Sequence, residues 1–254
     1  ASIRLGQKDM KGATEILSHT LMLCITNSLF FGILSFIFLD DILTFFGASA
    51  DTLPYARSFM QVILLGTPIT YTMIGLNNVM RATGYPKKAM LTSMVTVVAN
   101  IILAPIFIFH FEWGMRGAAT ATVISQLIGM VWVVSHFTKK DSTVHFEGNI
   151  WKMKPRIVES IFAIGMSPFL MNVCACLQDY GGDMAIGAYG IINRLLTLYV
   201  MIVLGLTMGM QPIVGYNFGA QKIDRVKQTL RLGIISGVVI TSSGFVICEF
   251  FPHA

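Results

Sequence analysis

Residues 58–80 read SFMQVILLGTPITYTMIGLNNVM and carry no charged side chain. Roughly 20 predominantly apolar residues are enough for a helix to cross the hydrocarbon core of a bilayer. Further segments of similar apolar character lie at 16–39, 89–109, 117–137, 160–178, 184–211 and 232–248. The pattern predicts an all-α fold, a polytopic transmembrane helical bundle with about seven spans.

The composition agrees with a membrane location. Of the 254 residues, 54% are hydrophobic and only 12% are charged, and the mean hydropathy is +0.70. A soluble domain places about 25% of its residues in Asp, Glu, Lys and Arg. The lipid bilayer is therefore the predicted surrounding of this chain, and the composition disfavours a soluble enzyme.

The basic residues predict the orientation of the spans. Four alternate connections, at 4–11, 81–88, 139–156 and 222–231, hold all but three of the 18 lysines and arginines. The opposite connections hold acidic residues, namely Asp40, Asp41, Asp51, Glu112, Asp179 and Asp183. Basic loops collect on the cytoplasmic side, so residues 1–15 are predicted to be cytoplasmic. The net charge of +5 then lies in short loops beside spans, which does not indicate a nucleic-acid partner.

The longest polar connection divides the spans into two groups. We expect residues 1–138 to form part of an N-terminal lobe with a cytoplasmic loop and four spans. Residues 139–159 read as a cytoplasmic linker, and residues 160–254 as part of a C-terminal lobe with three spans, the last of which is cut or nearly cut. The first residue is not Met, and the last residues follow an apolar run. We interpret the chain as a piece of a longer protein.

Two short strings recur at the same place in the predicted topology. LGQK at 5–8 precedes the 16–39 span, and FGAQ at 218–221 precedes the 232–248 span. ITNSLF at 25–30 is echoed by ITSSGF at 240–245. The offset of about 214 residues matches six spans with their loops, which is the pattern of an internal repeat. Six spans for each copy predict a parallel repeat and twelve spans in the intact protein.

Several polar residues lie inside the predicted spans. Asn77 and Asn100 occupy the 58–80 and 89–109 spans, and Thr122 occupies the next span. Polar groups in hydrocarbon tend to face the bundle interior or a water-filled path, although Ser and Thr also serve as contacts between helices. Arg194 is the one fixed charge deep in a span. It lines the transport path on one interpretation, and forms a structural ion pair or snorkels on the other.

Prolines and histidines give further expectations. Pro68, Pro105 and Pro168 each interrupt a predicted span and free a backbone carbonyl. The five histidines are scattered, and the chain holds neither metal-ligand spacing nor a phosphate-binding loop. The sequence therefore predicts no catalytic residue, no resident metal and no cofactor.

Four strings together resemble the multidrug and toxic compound extrusion (MATE) family. They are QPIVGYNFGA at 211–220, RATGYP at 81–86, NIIL at 100–103 and GAATAT at 117–122. The resemblance implies twelve helices in two six-helix lobes, with this chain running from the second-to-third loop into the ninth helix. Family members exchange Na⁺ or H⁺ for amphipathic, often cationic, organic compounds.

The resemblance also implies a cation and substrate pathway. Asn77, Asn100 and Thr122 look like members of the polar cluster of the N-terminal lobe, and we add Arg194 to the candidate pathway. The chain departs from the family pattern at Ala104, where an acid would stand, and at Phe59, a position often held by Tyr. Cys176 stands near the place where another branch of the family has a Glu.

The leading hypothesis from the sequence is a cation-coupled multidrug antiporter in the bacterial plasma (inner) membrane, with Na⁺ or H⁺ as coupling ion. A lipid-linked precursor flippase or polysaccharide exporter on a related scaffold is the alternative. A membrane-embedded enzyme would need clustered His or Asp residues inside the spans, and the sequence shows no such cluster. The pattern does not address the oligomeric state.

Overall fold

The computed structural model describes the chain from its first residue to the end of the fourth predicted span, and again over most of its last 70 or so residues. The described residues are 1–139, 144–146, 158–159, 161–162, 165–166, 170 and 186–250. Every regular element in these residues is a helix, and the predicted all-α fold is confirmed there.

Eight α-helices can be followed in these residues. The shorter two are α1 (Ser2–Gly6) and α3 (Leu39–Phe45). The longer ones are α2 (Met10–Ile37), α4 (Leu53–Ala82), α5 (Pro86–Pro105), α6 (Gly114–Thr138), α7 (Ile186–Gly219) and α8 (Ile223–Phe250). A π-helical turn, Ile106–His110, directly extends α5.

Five helices of the described residues are long and apolar enough to span a membrane. They are Met10–Ile37, Leu53–Ala82, Pro86–His110, Gly114–Thr138 and Thr197–Gly219. Most of the predicted 160–178 span lies outside the described residues, as do Pro168 and Cys176. The predicted 232–248 span lies within α8, which is not among the five. The chain is an integral, multi-pass membrane protein.

The chain forms two compact units. The first unit holds α2 to α6, in which α4 packs against α2, α5 and α6. The second unit holds α1, α7 and α8, and α7 packs against both of the others. Residues Ser2–Asp9 thus group with the later helices. The boundaries 1–138, 139–159 and 160–254 remain predictions, and most of the 139–159 linker lies outside the described residues.

Pro68 does not break its helix, so the predicted interruption is wrong at this position. α4 runs without a gap from Leu53 to Ala82. A proline has no N–H to donate to the carbonyl four residues earlier, which here belongs to Leu64. The hydroxyl of Thr67 donates to that carbonyl and satisfies it within the helix. At Pro105 the α-helix does end, and the π-helical turn follows.

A glycine ends α4 and starts the turn into α5. Gly84 has a φ of +96°, in the left-handed region that favours glycine. Its N–H donates to the Arg81 carbonyl at 3.3 Å, and the Tyr85 N–H donates to the Met80 carbonyl at 3.2 Å. This pair of bonds is the Schellman end of a helix. Pro86 follows at the first turn of α5, where a missing N–H has no cost.

The predicted repeat appears as two copies of one turn. After α1, Lys8 has a φ of 61°, and the Asp9 N–H donates to the Arg4 carbonyl at 2.9 Å. After α7, Gln221 has a φ of 59°, and the Lys222 N–H donates to the Asn217 carbonyl at 2.9 Å. Each pair of positions differs by the same number of residues, and a new helix begins directly after each turn. The short sequence similarity therefore corresponds to a shared backbone geometry.

Candidate functional site

Two of the predicted pathway residues meet between α5 and α6. The side-chain amide of Asn100 donates to the hydroxyl of Thr122 at 3.1 Å. The Thr122 hydroxyl in turn donates to the Ala118 carbonyl of its own helix at 3.0 Å. Both side chains are half-buried. A polar contact in the middle of two spans is the kind of group that lines a transport path or joins two helices.

A small polar pocket surrounds this contact. Its volume is about 220 Å³, and its polar lining comes from Thr96 and Asn100 on α5 and from Thr122, Ser125 and Gln126 on α6. None of the lining residues in the described part of the chain is charged. The side-chain oxygen of Gln126 is buried and has no hydrogen-bond partner among the described residues. The pocket therefore offers neutral oxygens, one of them unsatisfied, to a bound molecule or ion.

Asn77 lies apart from this pocket. Its amide donates to the hydroxyl of Ser93 at 3.3 Å, which joins α4 to α5. Ser93 and Asn100 are seven residues apart, so they lie about 10 Å apart along the same face of α5. Asn77 is only 5% exposed, and its side-chain oxygen has no partner in the described part of the chain. Asn77 and Asn100 thus anchor two successive polar sites along one face of α5.

Arg194 and Ala104 are the other positions that the sequence analysis singled out for the pathway. The backbone of Arg194 lies in α7, but its side chain lies outside the described residues. Ala104 stands one turn beyond Asn100 on α5, so no carboxylate extends the pocket in that direction. Among the described residues, no group of three or more His, Cys, Asp and Glu side chains could hold a metal ion.

A second feature lies in the other unit, where α1 crosses the end of α7. A Cβ atom added at Gly6 would overlap the carbonyl oxygen of Tyr216 and lie 3.0 Å from the Gly219 Cα. A Cβ atom added at Gly219 would overlap the carbonyl oxygen of Ile3. Gly6 and Gly219 are equivalent positions of the repeat, and so are Ile3 and Tyr216. The contact is therefore reciprocal, as in an interface with two-fold symmetry, and it depends on the absence of two side chains.

Sequence reasoning did not select Ser93 or Thr96 as members of the polar sites. Both precede Asn100 on α5, by seven and four residues, and this spacing places all three on one helical face. Their spacing from Asn100 would therefore have been sufficient to predict Ser93 and Thr96 as members of the polar sites. The reciprocal glycine contact has no comparable local signal, because its two halves are far apart in the sequence.

These features define an integral membrane protein with a repeated turn between helices and a polar pocket inside the spans of one unit. The MatE family model matches residues 1–106 and 155–254. The multidrug export protein MepA of Staphylococcus haemolyticus is 32% identical over 253 residues, which cover 96% of this chain and 55% of that protein.

Solved structures agree in fold. A MATE structure in the bent conformation superposes with a TM-score of 0.92 at 21% identity, covering 99% of this chain and 58% of that chain. The MATE multidrug transporter DinF-BH in complex with R6G gives a TM-score of 0.88 at 30% identity, again covering 99% of this chain and 58% of that one.

The chain belongs to the MATE family of transporters. It spans about half the length of the curated relatives that it matches. The family resemblance of the four sequence strings is thereby confirmed.

Proposed function

We propose that the intact protein is a cation-coupled multidrug antiporter that exports amphipathic, cationic organic compounds by alternating access. The observation that carries the proposal is the polar pocket around Asn100 and Thr122 in a chain that belongs to the MATE family. The similar protein MepA is a multidrug export protein, and the similar DinF-BH holds R6G.

Because the curated relatives are staphylococcal proteins, we propose that the protein lies in the bacterial plasma membrane. We also propose that residues 1–138 and 160–254 belong to an N-terminal and a C-terminal lobe.

The chemistry of the pocket bears on the coupling ion. Its polar lining groups are hydroxyls and side-chain amides, which do not titrate near neutral pH. Na⁺ can be bound by such neutral oxygens, and the unsatisfied oxygen of Gln126 is available for it. Proton coupling would need an acid from another part of the protein. Na⁺ and H⁺ therefore remain two separate arms of the test.

The reciprocal glycine contact supplies a part of the alternating-access proposal. α1 and α7 belong to one unit, and their backbones meet at Gly6 and Gly219. Packed backbones without side chains between them separate as a whole instead of deforming gradually. We propose that this contact is closed in one access state and open in the other.

The experiment is dye transport by the full-length protein in proteoliposomes. Ethidium efflux is followed while an inward Na⁺ gradient or an inward H⁺ gradient is imposed, and liposomes without protein serve as the baseline. We expect efflux to depend on one of the two gradients and to stop when that gradient is collapsed. Failure of both gradients to drive transport of ethidium and of rhodamine 6G would contradict the proposal.

A further inference from the structure

A groove runs between α5 and α6 at the end where α5 begins and α6 finishes. Its volume is about 740 Å³. In the orientation that the charge pattern predicts, this end faces the cytoplasm. Lys88 lies in the first turns of α5, and Lys139 lies directly after the last residue of α6. The groove therefore opens between two lysines, and none of the described residues that line it is acidic.

Apart from Ser135 and His136, the rest of the groove is apolar. Its walls are formed by Leu91 of α5 and by Ile128, Val131 and Trp132 of α6. All four side chains are exposed, Val131 by 56% and Trp132 by 47%. From Ile128 to Lys139 the helix rises about 16 Å, which is close to the depth of one bilayer leaflet. The groove thus has a charged end at the membrane surface and an apolar length suited to an acyl chain.

His136 adds a polar group at the charged end. The residue is only 9% exposed and lines the groove. Its ring packs against Tyr85, with 4.7 Å between the ring centroids, and against Phe137. The Nε2 atom is buried and has no hydrogen-bond partner among the described residues. The ring therefore forms part of the groove wall, while its Nε2 atom is not accessible from the groove.

We propose that this groove binds an anionic phospholipid of the cytoplasmic leaflet. The phosphate lies between the Lys88 and Lys139 ammonium groups, at the end of the groove that His136 lines. One acyl chain lies along Leu91, Val131 and Trp132. Basic pockets between transmembrane helices on the cytoplasmic side bind such head groups. A free phosphate would leave the apolar walls unused, and the two lysines would repel a cationic drug.

The test uses Trp132 as its reporter in the full-length protein. The purified protein is titrated in detergent with dibrominated phosphatidylglycerol or dibrominated phosphatidylcholine, and quenching of tryptophan fluorescence is measured. The part of the signal that disappears in W132F is assigned to the groove. We expect phosphatidylglycerol to quench this part at lower concentration than phosphatidylcholine.

Matched charge variants decide the outcome. In K88Q/K139Q, the apparent affinity for phosphatidylglycerol should fall about 30-fold, since each lysine near the membrane surface raises the affinity for an anionic lipid about fivefold. K87Q/K227Q removes the same charge from two exposed lysines outside the groove and should change the affinity less than about twofold. Equal quenching by the two lipids, or an equal loss in both double variants, would overturn the proposal. Size-exclusion profiles confirm that each variant remains folded.

Discussion

The glycine contact between α1 and α7 and the polar pocket between α5 and α6 are built in opposite ways. At the glycine contact, two backbones approach so closely that a Cβ on either Gly6 or Gly219 would overlap a carbonyl oxygen. At the polar pocket, Asn100 and Thr122 meet through their side chains at 3.1 Å, and space is left beside them. The first region depends on missing side chains, and the second on particular functional groups.

The difference predicts how each region responds to substitution. At the glycine contact the neighbour is backbone, which cannot move aside as a flexible side chain can. At the pocket an apolar replacement fits in the space available but removes hydrogen-bonding groups. We therefore expect glycine variants to disturb the position of whole helices, and pocket variants to alter transport with little change in the fold.

The largest effect is expected for G219A, because the added methyl group forces α1 away from α7. Overpacking typically costs about 1–3 kcal/mol, and we expect ethidium transport by the full-length protein to fall to the baseline. G205A is the matched control, since a Cβ at Gly205 in the same helix meets nothing within 4 Å. If G219A and G205A transport at the same rate, the close approach has no role in transport.

The next effect is expected at the pocket. We expect N100L and T122V each to lower gradient-driven ethidium efflux about tenfold, equivalent to about 1.4 kcal/mol. The double variant should be little worse than either single one, since the two side chains share one hydrogen bond. I102L is the control on the same helix, because Ile102 is 57% exposed and does not line the pocket. Additive losses in the double variant would show that the two residues act separately.

A smaller effect is expected for Arg194 in α7. If the guanidinium lines the transport path, R194L should lower efflux about threefold, since a charge held inside a span is usually functional. The measurement is initial efflux rate at matched expression, with R194K as the variant that keeps the charge. Normal transport by R194L would assign Arg194 to the structural interpretation.

The smallest effect is expected for Gly84, which is needed for its backbone conformation and not for close packing. Its φ of +96° needs a residue that tolerates the left-handed region, but a Cβ there meets nothing within 4 Å. G84A should therefore cost about 1 kcal/mol of stability, seen as a lower melting temperature, with transport unchanged. A transport defect as severe as that of G219A would remove the distinction between glycines needed for space and glycines needed for conformation.

Much of the fold was predictable from the sequence because hydrophobic runs report spans directly. The predicted spans at 16–39, 58–80, 89–109 and 117–137 coincide with long helices, apart from their ends. Within the third span, the α-helix ends at Pro105, and a π-helical turn forms the remainder of the span. Sequence patterns did not predict that the Thr67 hydroxyl compensates for Pro68 and keeps α4 continuous.

The site was less predictable. The family motif pointed to Asn77, Asn100 and Thr122 as one cluster, and it could not tell which of them share a hydrogen bond. That depends on the rotation of α5 between its neighbours, which brings Ser93 to Asn77 and Thr122 to Asn100. The repeat was visible in the sequence, but the reciprocal contact between its two turns required the three-dimensional position of both.

The most direct test of alternating access is to hold the glycine contact closed. In a full-length variant without other cysteines, I3C and Y216C are joined by a short bismaleimide, because the backbone of Ile3 meets Gly219 and the backbone of Tyr216 meets Gly6, so both positions flank the contact. Our account predicts that cross-linked protein in proteoliposomes loses gradient-driven ethidium efflux, while either single-cysteine variant treated with the same reagent retains it. Efflux at the normal rate by fully cross-linked protein would contradict the account.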